Sequence, residues 1–145
     1  MVNDILSQLL RDEGFRSSPY IDTRGHNTVG VGHNLDANPL PNETYPLTVQ
    51  RAKDILADDV ARITGVLLQH LPWVDSLPDA RKGVLQNMSF NLGVGGLLEF
   101  HDTLHKVQVT DYAGAASAMT QSAWYTQVGD RAIRLVTQMK LGEWQ

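Results

Sequence analysis

The chain has 145 residues, no cysteine and a formal charge of −4 at pH 7. That length suits one domain with a real core; the missing cysteine excludes disulfides, thiolate metal sites and cysteine nucleophiles. The acidic balance argues against a broad nucleic-acid surface, which needs clustered Lys and Arg. With 42% hydrophobic residues the composition is that of a globular protein. The apolar run "ILSQLL" falls far below the roughly 18–20 residues that span a bilayer, and it lacks the basic region and cleavage pattern of a signal peptide. No membrane anchor is expected.

Ile5, Leu6, Leu9 and Leu10 recur at helical spacing behind an Asn3 or Asp4 cap, and Gly14 is placed to end this first helix. The period then changes. "PYI", "DTRG" and "HNTVGVGH" predict a short antiparallel hairpin. The proline-rich "NLDANPLPNETYPL" reads as an irregular connector. Thr48 is expected to cap a helix carrying Val49, Ala52, Ile55, Leu56, Val60 and Ile63, with Gly65 closing it. Ser76 is expected to cap the next, with Pro78 in the first turn, Val84, Leu85, Met88 and Leu92 on its apolar side and a glycine stop. Further helices are expected from near Leu97, Thr110 and Asp130, the last carrying Ile133, Val136 and Leu141 before Gly142. The fold class is therefore α+β: an N-terminal helix and a small antiparallel sheet lobe, about 15–47, joined to a larger helical lobe, about 48–145 plus helix 1–14, with a cleft between lobes.

Three polar groups stand out. Glu13 follows Leu9 by four residues and Leu10 by three, so it projects beside the apolar stripe. Desolvation there and the negative helix end both favour the uncharged acid, the form a general acid needs; a frayed last turn with Glu13 in water is the commoner outcome of such spacing. Asp22 opens "DTRG", where a carboxylate accepts local N–H bonds and stays ionised. A neutral acid facing an ionised one is the pairing that glycoside cleavage requires. Strand alternation puts Thr28, Gly30 and Gly32 on one bare face and Val29, Val31 and His33 on the other.

His33 on the valine face is expected to be structural and to pair with Asp59, which follows Ile55 and Leu56 at helical spacing. No metal is expected, since HExxH and a paired-ligand helix are both missing. "GVGH" lacks the helix that nucleotide-binding glycines lead into, and Ser17 and Ser18 lack the GxSxG context of a serine hydrolase.

The series Glu13-Gly14, Tyr20, Asp22-Thr23, Gly25, Thr28 and then "VGVGH" resembles the opening of the tailed-phage lysozymes, the endolysins that cut bacterial cell walls. Its core is E-x8-D-x5-T followed by G-x-G-H, and the likeness continues through "VDSLPDARKGVLQNMSFNLG", "FHDTL", "SAWY" and "DRAIRLV". This resemblance implies a muramidase that hydrolyses the β-1,4 bond between N-acetylmuramic acid and N-acetylglucosamine in peptidoglycan, without cofactor; most members of the family are considered inverting, and the carboxylate separation that decides the outcome is a matter of structure. It implies Glu13 as general acid, Asp22 as second carboxylate and Thr28 as the group positioning water. Arg131 falls where the family pairs an arginine with the acid; such a guanidinium opposes the effects that keep the acid neutral. Asn34, Phe90 and Thr103 match substrate-contact positions, although Asn34 and Thr103 differ in type from the best-known members.

The same resemblance implies glycan strands as partner, a monomer, and residence in the host cytoplasm until a holin-type protein permits release to the periplasm and wall. Two alternatives remain open: a lytic transglycosylase acting on the same bond, disfavoured by Asp22 and Thr28, and a wall-binding protein of the same fold without turnover.

Overall fold

Helix α1, Ile5–Glu13, buries Gln8 and Leu9, while Leu6 stays 39% exposed. The helix ends where expected: Gly14 N–H donates to the Leu10 carbonyl at 3.0 Å, and its φ is +72°. A computed structural model describes all residues, Met1–Gln145, and their contacts divide the chain into two compact units. One is Leu6–Arg62; the other is Met1–Ile5 with Ile63–Gln145.

In the first unit the expected hairpin gains a third strand. β1, Arg16–Ile21, pairs antiparallel with β2, Asn27–Gly30, which pairs antiparallel with β3, His33–Asn34. The β1–β2 register joins Tyr20 to Thr28 and Ile21 to Asn27, and shifts between Arg16 and Tyr20, a stretch that contains Pro19. Proline cannot donate to the ladder, which suits an edge strand. The β2–β3 register joins Val29 to His33.

This second turn overturns the expected alternation. Gly30 and Gly32 have φ of +67° and +62°, so the chain reverses at Val31 instead of running extended to His33. Gly30 is not on a bare face: a Cβ built there would lie 3.5 Å from Leu47 and 3.6 Å from Ala52. Thr28, too, is buried, with 4% of its surface exposed.

Helix α2, Val49–His70, starts as expected, with the Thr48 hydroxyl oxygen accepting from Arg51 N–H at 3.0 Å. Ala52, Ile55 and Leu56 are buried. The helix does not stop at Gly65. Leu67 beyond it is fully buried, and burying a leucine stabilises by about 1.5–3 kcal/mol, more than the roughly 1 kcal/mol that glycine costs a helix interior.

The second unit is helical. A 3-10 turn, Pro72–Ser76, occupies the place expected for a Ser76 cap, and Pro78 instead stands at the N-cap of α3, Asp79–Leu98. The glycine stop is present as a break, because Gly93 has non-helical angles of φ 76° and ψ 157°. Then follow α4, His101–Gln108; α5, Tyr112–Thr120, capped by Asp111; α6, Ala123–Val128, capped by Ser122; and α7, Asp130–Leu141. Leu67, Val84, Leu85, Met88, Leu97, Met119 and Met139 belong to one buried cluster. The buried stripe of α7 is Ala132, Leu135 and Met139; Ile133 and Leu141, expected to pack, are about half exposed at 48% and 55%. Both sets fit helical spacing, and the neighbours across the interface decide between them.

Candidate active site

Asp22 sits in the β1–β2 turn, whose backbone closes around its side chain. Its Oδ1 accepts N–H bonds from Arg24 at 2.9 Å and His26 at 2.8 Å, while its own N–H donates to the His26 carbonyl at 2.9 Å. The carboxyl is held below the usual carboxylate range, chiefly by the His26 N–H; the smaller effects of Arg24 N–H and the charges of His26 and Arg24 add to this, against a desolvation that opposes it. Oδ2 takes no part in those bonds and faces the His26 ring at 3.8 Å. The side chain is therefore an ionised carboxylate with one oxygen fixed by the backbone and the other available.

Thr28 is tied into the same turn. Its hydroxyl donates to the His26 carbonyl at 3.0 Å, which leaves the oxygen lone pairs free to accept from water. Glu13, half-buried at the end of α1, is brought to the β2–β3 turn: a Cβ built on Gly32 would lie 3.0 Å from its Oε2 and 3.1 Å from its carboxyl carbon. The second glycine of "VGVGH" thus admits the glutamate as well as the turn. Glu13, Asp22 and Thr28 all belong to the Leu6–Arg62 unit.

His33 and Asp59 meet in that unit as well. His33 Nδ1 lies 2.7 Å from Asp59 Oδ2, Nε2 lies 2.7 Å from the Asn38 carbonyl, and Arg62 reaches Asp59 Oδ1 at 2.9 Å. The pair joins the sheet to α2 and fastens the connector. Asn34 is half-buried on β3, with its side-chain oxygen accepting from Asp36 and Ala37 N–H at 2.9 and 3.1 Å. That oxygen is committed to its own turn, an Asx arrangement.

Arg131, Phe90 and Thr103 belong to the helical unit. Arg131 Nε donates to Asn87 Oδ1 at 2.9 Å. Phe90 is half-buried on α3. Thr103, 2% exposed on α4, lines an open pocket with Phe100, Ala118, Ser122 and Trp124. Phe100 and Trp124 meet edge to face at 5.9 Å, and Trp124 Nε1–H donates to Asn91 at 3.0 Å.

Sequence reasoning missed Asn87, fully buried beneath Arg131. Its signal was present: Asn87 follows Val84 by three residues, a polar side chain on an apolar stripe. The backbone of His26 connects Asp22 with Thr28, a role for which the sequence carries no signal.

Seven helices and a three-stranded antiparallel sheet, with the glutamate ending the first helix and the aspartate in the first turn of the sheet, make an α+β lysozyme-like arrangement. Comparison with known proteins agrees. The phage lysozyme family model matches residues 11–139, and the chain belongs to that family, whose members are peptidoglycan-lytic enzymes of lysozyme type. It is 28% identical to the pre-baseplate central spike protein Gp5 of Enterobacteria phage T4, over 88% of this chain but 26% of that protein, so it spans about a quarter of that relative's length. It is 24% identical to the probable T4-type lysozyme 1 of Dictyostelium discoideum, over 98% of this chain and 96% of the relative. The endolysin of Salmonella phage P22 is 27% identical, over 78% of this chain and 76% of its own length.

Proposed function

We propose that the chain is a muramidase domain, hydrolysing the β-1,4 bond between N-acetylmuramic acid and N-acetylglucosamine of peptidoglycan. The observation that carries the reading is the wiring of the β1–β2 turn: the Asp22 carboxylate and the Thr28 hydroxyl are both fixed through His26, in the unit that also carries Glu13. Glu13 protonates the leaving oxygen. The free Oδ2 of Asp22 supports the positive charge that grows at the sugar carbon or takes a proton from the attacking water, and the lone pairs of Thr28 orient that water. Arg131 serves as partner of the acid. Asn34, Phe90 and Thr103 are proposed substrate contacts, with Thr103 acting through the pocket it lines. The enzyme works as a monomer, without cofactor, in the host cytoplasm until a holin-type protein admits it to the periplasm and wall, where it lyses the phage host.

The test is incubation of isolated peptidoglycan with the parent and with Glu13→Gln, following turbidity and new reducing ends. The parent is expected to clear the suspension and the variant to lose on the order of a thousandfold or more in rate, with its circular dichroism retained. Equal clearing by both removes Glu13 from the chemistry. Mass analysis of the released muropeptides is expected to show hydrolysed ends; dominant 1,6-anhydro ends would make the enzyme a lytic transglycosylase instead.

A further inference from the structure

His26 is 47% exposed at the tip of the sheet, and its imidazole Nδ1 stands 3.8 Å from the Asp22 oxygen that the backbone leaves free. We propose that His26 is a positioning residue for Asp22: its ring, when charged, closes on Oδ2 and slows turnover. The proposal rests on the muramidase reading above. Histidine is the side chain whose charge ordinarily changes between pH 5 and 8. Neutral, it leaves Oδ2 to water or to the sugar. Charged, it does two things. It turns an available carboxylate oxygen into one arm of an ion pair, and it sets a positive charge beside a transition state that is itself developing positive charge.

The surrounding groups do not cancel this. Arg24, in the same turn, adds positive charge near Asp22. Asp36, in the segment after β3, also feels His26, but both of its oxygens already accept from Asn27, at 3.0 Å from the backbone N–H and 2.9 Å from the side-chain amide. Asp22 Oδ2 is thus the open acceptor beside the ring. The backbone role of residue 26 is separate from its ring, because the bonds to Asp22 and Thr28 use its N–H and carbonyl. Side-chain substitution therefore spares the wiring of the turn.

The experiment measures kcat and KM for peptidoglycan from about pH 5 to about pH 8 for the parent, His26→Gln and His26→Lys. The ratio of kcat, His26→Gln over parent, is expected near one at the alkaline end and about fivefold at the acid end, with KM unmoved. His26→Lys, a permanent charge, is expected to be slow throughout and to lose the parent's acid-side fall. A ratio that stays flat across the range overturns the proposal. A second readout is independent of turnover: the Asp22 carboxyl carbon, followed by NMR, is expected to titrate at higher pH in His26→Gln than in the parent. An unchanged Asp22 titration means that the ring does not act on the carboxylate and overturns the proposal, whatever the activity. A parent that makes no reducing ends at any pH, with the Asp22 titration shifted as expected, brings down the muramidase reading and the rate role of His26 with it.

Discussion

Both ring nitrogens of His33 face acceptors, a carboxylate on one side and a carbonyl on the other. A neutral imidazole has one N–H and could satisfy one of them, so this geometry calls for the imidazolium. The bond to Asp59 raises the His33 pKa above 6.5, with help from the Asn38 carbonyl and the Asp59 charge, against desolvation and Arg62. Because the folded value is raised, the stabilisation is fully present below about pH 6.5 and is lost as pH rises through the folded value. Removing one partner of such a buried pair costs about 3–5 kcal/mol. The urea midpoint of the parent is therefore expected to exceed that of His33→Gln by more at about pH 6 than at about pH 9; a gap that is constant or grows with pH would refute the assignment. Asp59 was legible in the sequence because it follows Ile55 and Leu56 at helical spacing, whereas His33 reaches the same interior through its cross-strand register with Val29 rather than by alternation from Val31. The burial of Thr28 was not legible. It depends on a turn at Gly30–Gly32 whose positive φ angles a strand alternation does not anticipate.

Elements were read well where a local side chain fixes them and poorly where a distant partner does. The Thr48 cap is a bond spanning three residues, and the end of α1 at Gly14 is equally local. The choice between Ala132-Leu135-Met139 and Ile133-Leu141 on α7 belongs to the neighbouring helices, and the bond from Arg131 to Asn87 crosses 44 positions of sequence. Gly65 was read as a stop because glycine commonly is one, but the burial of Leu67 carries α2 through it. Nothing lies within 4 Å of a Cβ built at Gly65, so alanine there meets no obstacle. Gly65→Ala is expected to stabilise the protein by about 0.5–1 kcal/mol, seen as a higher urea midpoint with unchanged denaturant slope. A loss of stability would mean that the glycine serves a purpose beyond the helix.

At the scale of the whole molecule the family was legible because its signature is compact: Glu13, Asp22, Thr28 and "VGVGH" fall within 21 consecutive residues (33 − 13 + 1). Net charge is also a whole-molecule property, and here it is −4. An anionic enzyme gains no long-range attraction toward an anionic wall, and added salt screens what repulsion there is. Clearing of peptidoglycan is expected to hold steady or quicken as ionic strength rises from about 0.01 M to about 0.1 M. A steep slowing over that range would instead point to a local basic surface that governs approach.

The two amide bonds that end on a single oxygen of Asp22 have one more implication. An asparagine at that position could offer its carbonyl oxygen to the same donors and present an amide where the second oxygen was, so the loop would keep its shape while its charge vanished. Alanine would remove both at once. On the proposed mechanism, a relative carrying asparagine here would keep the architecture of the loop and lose the charge that the reaction uses.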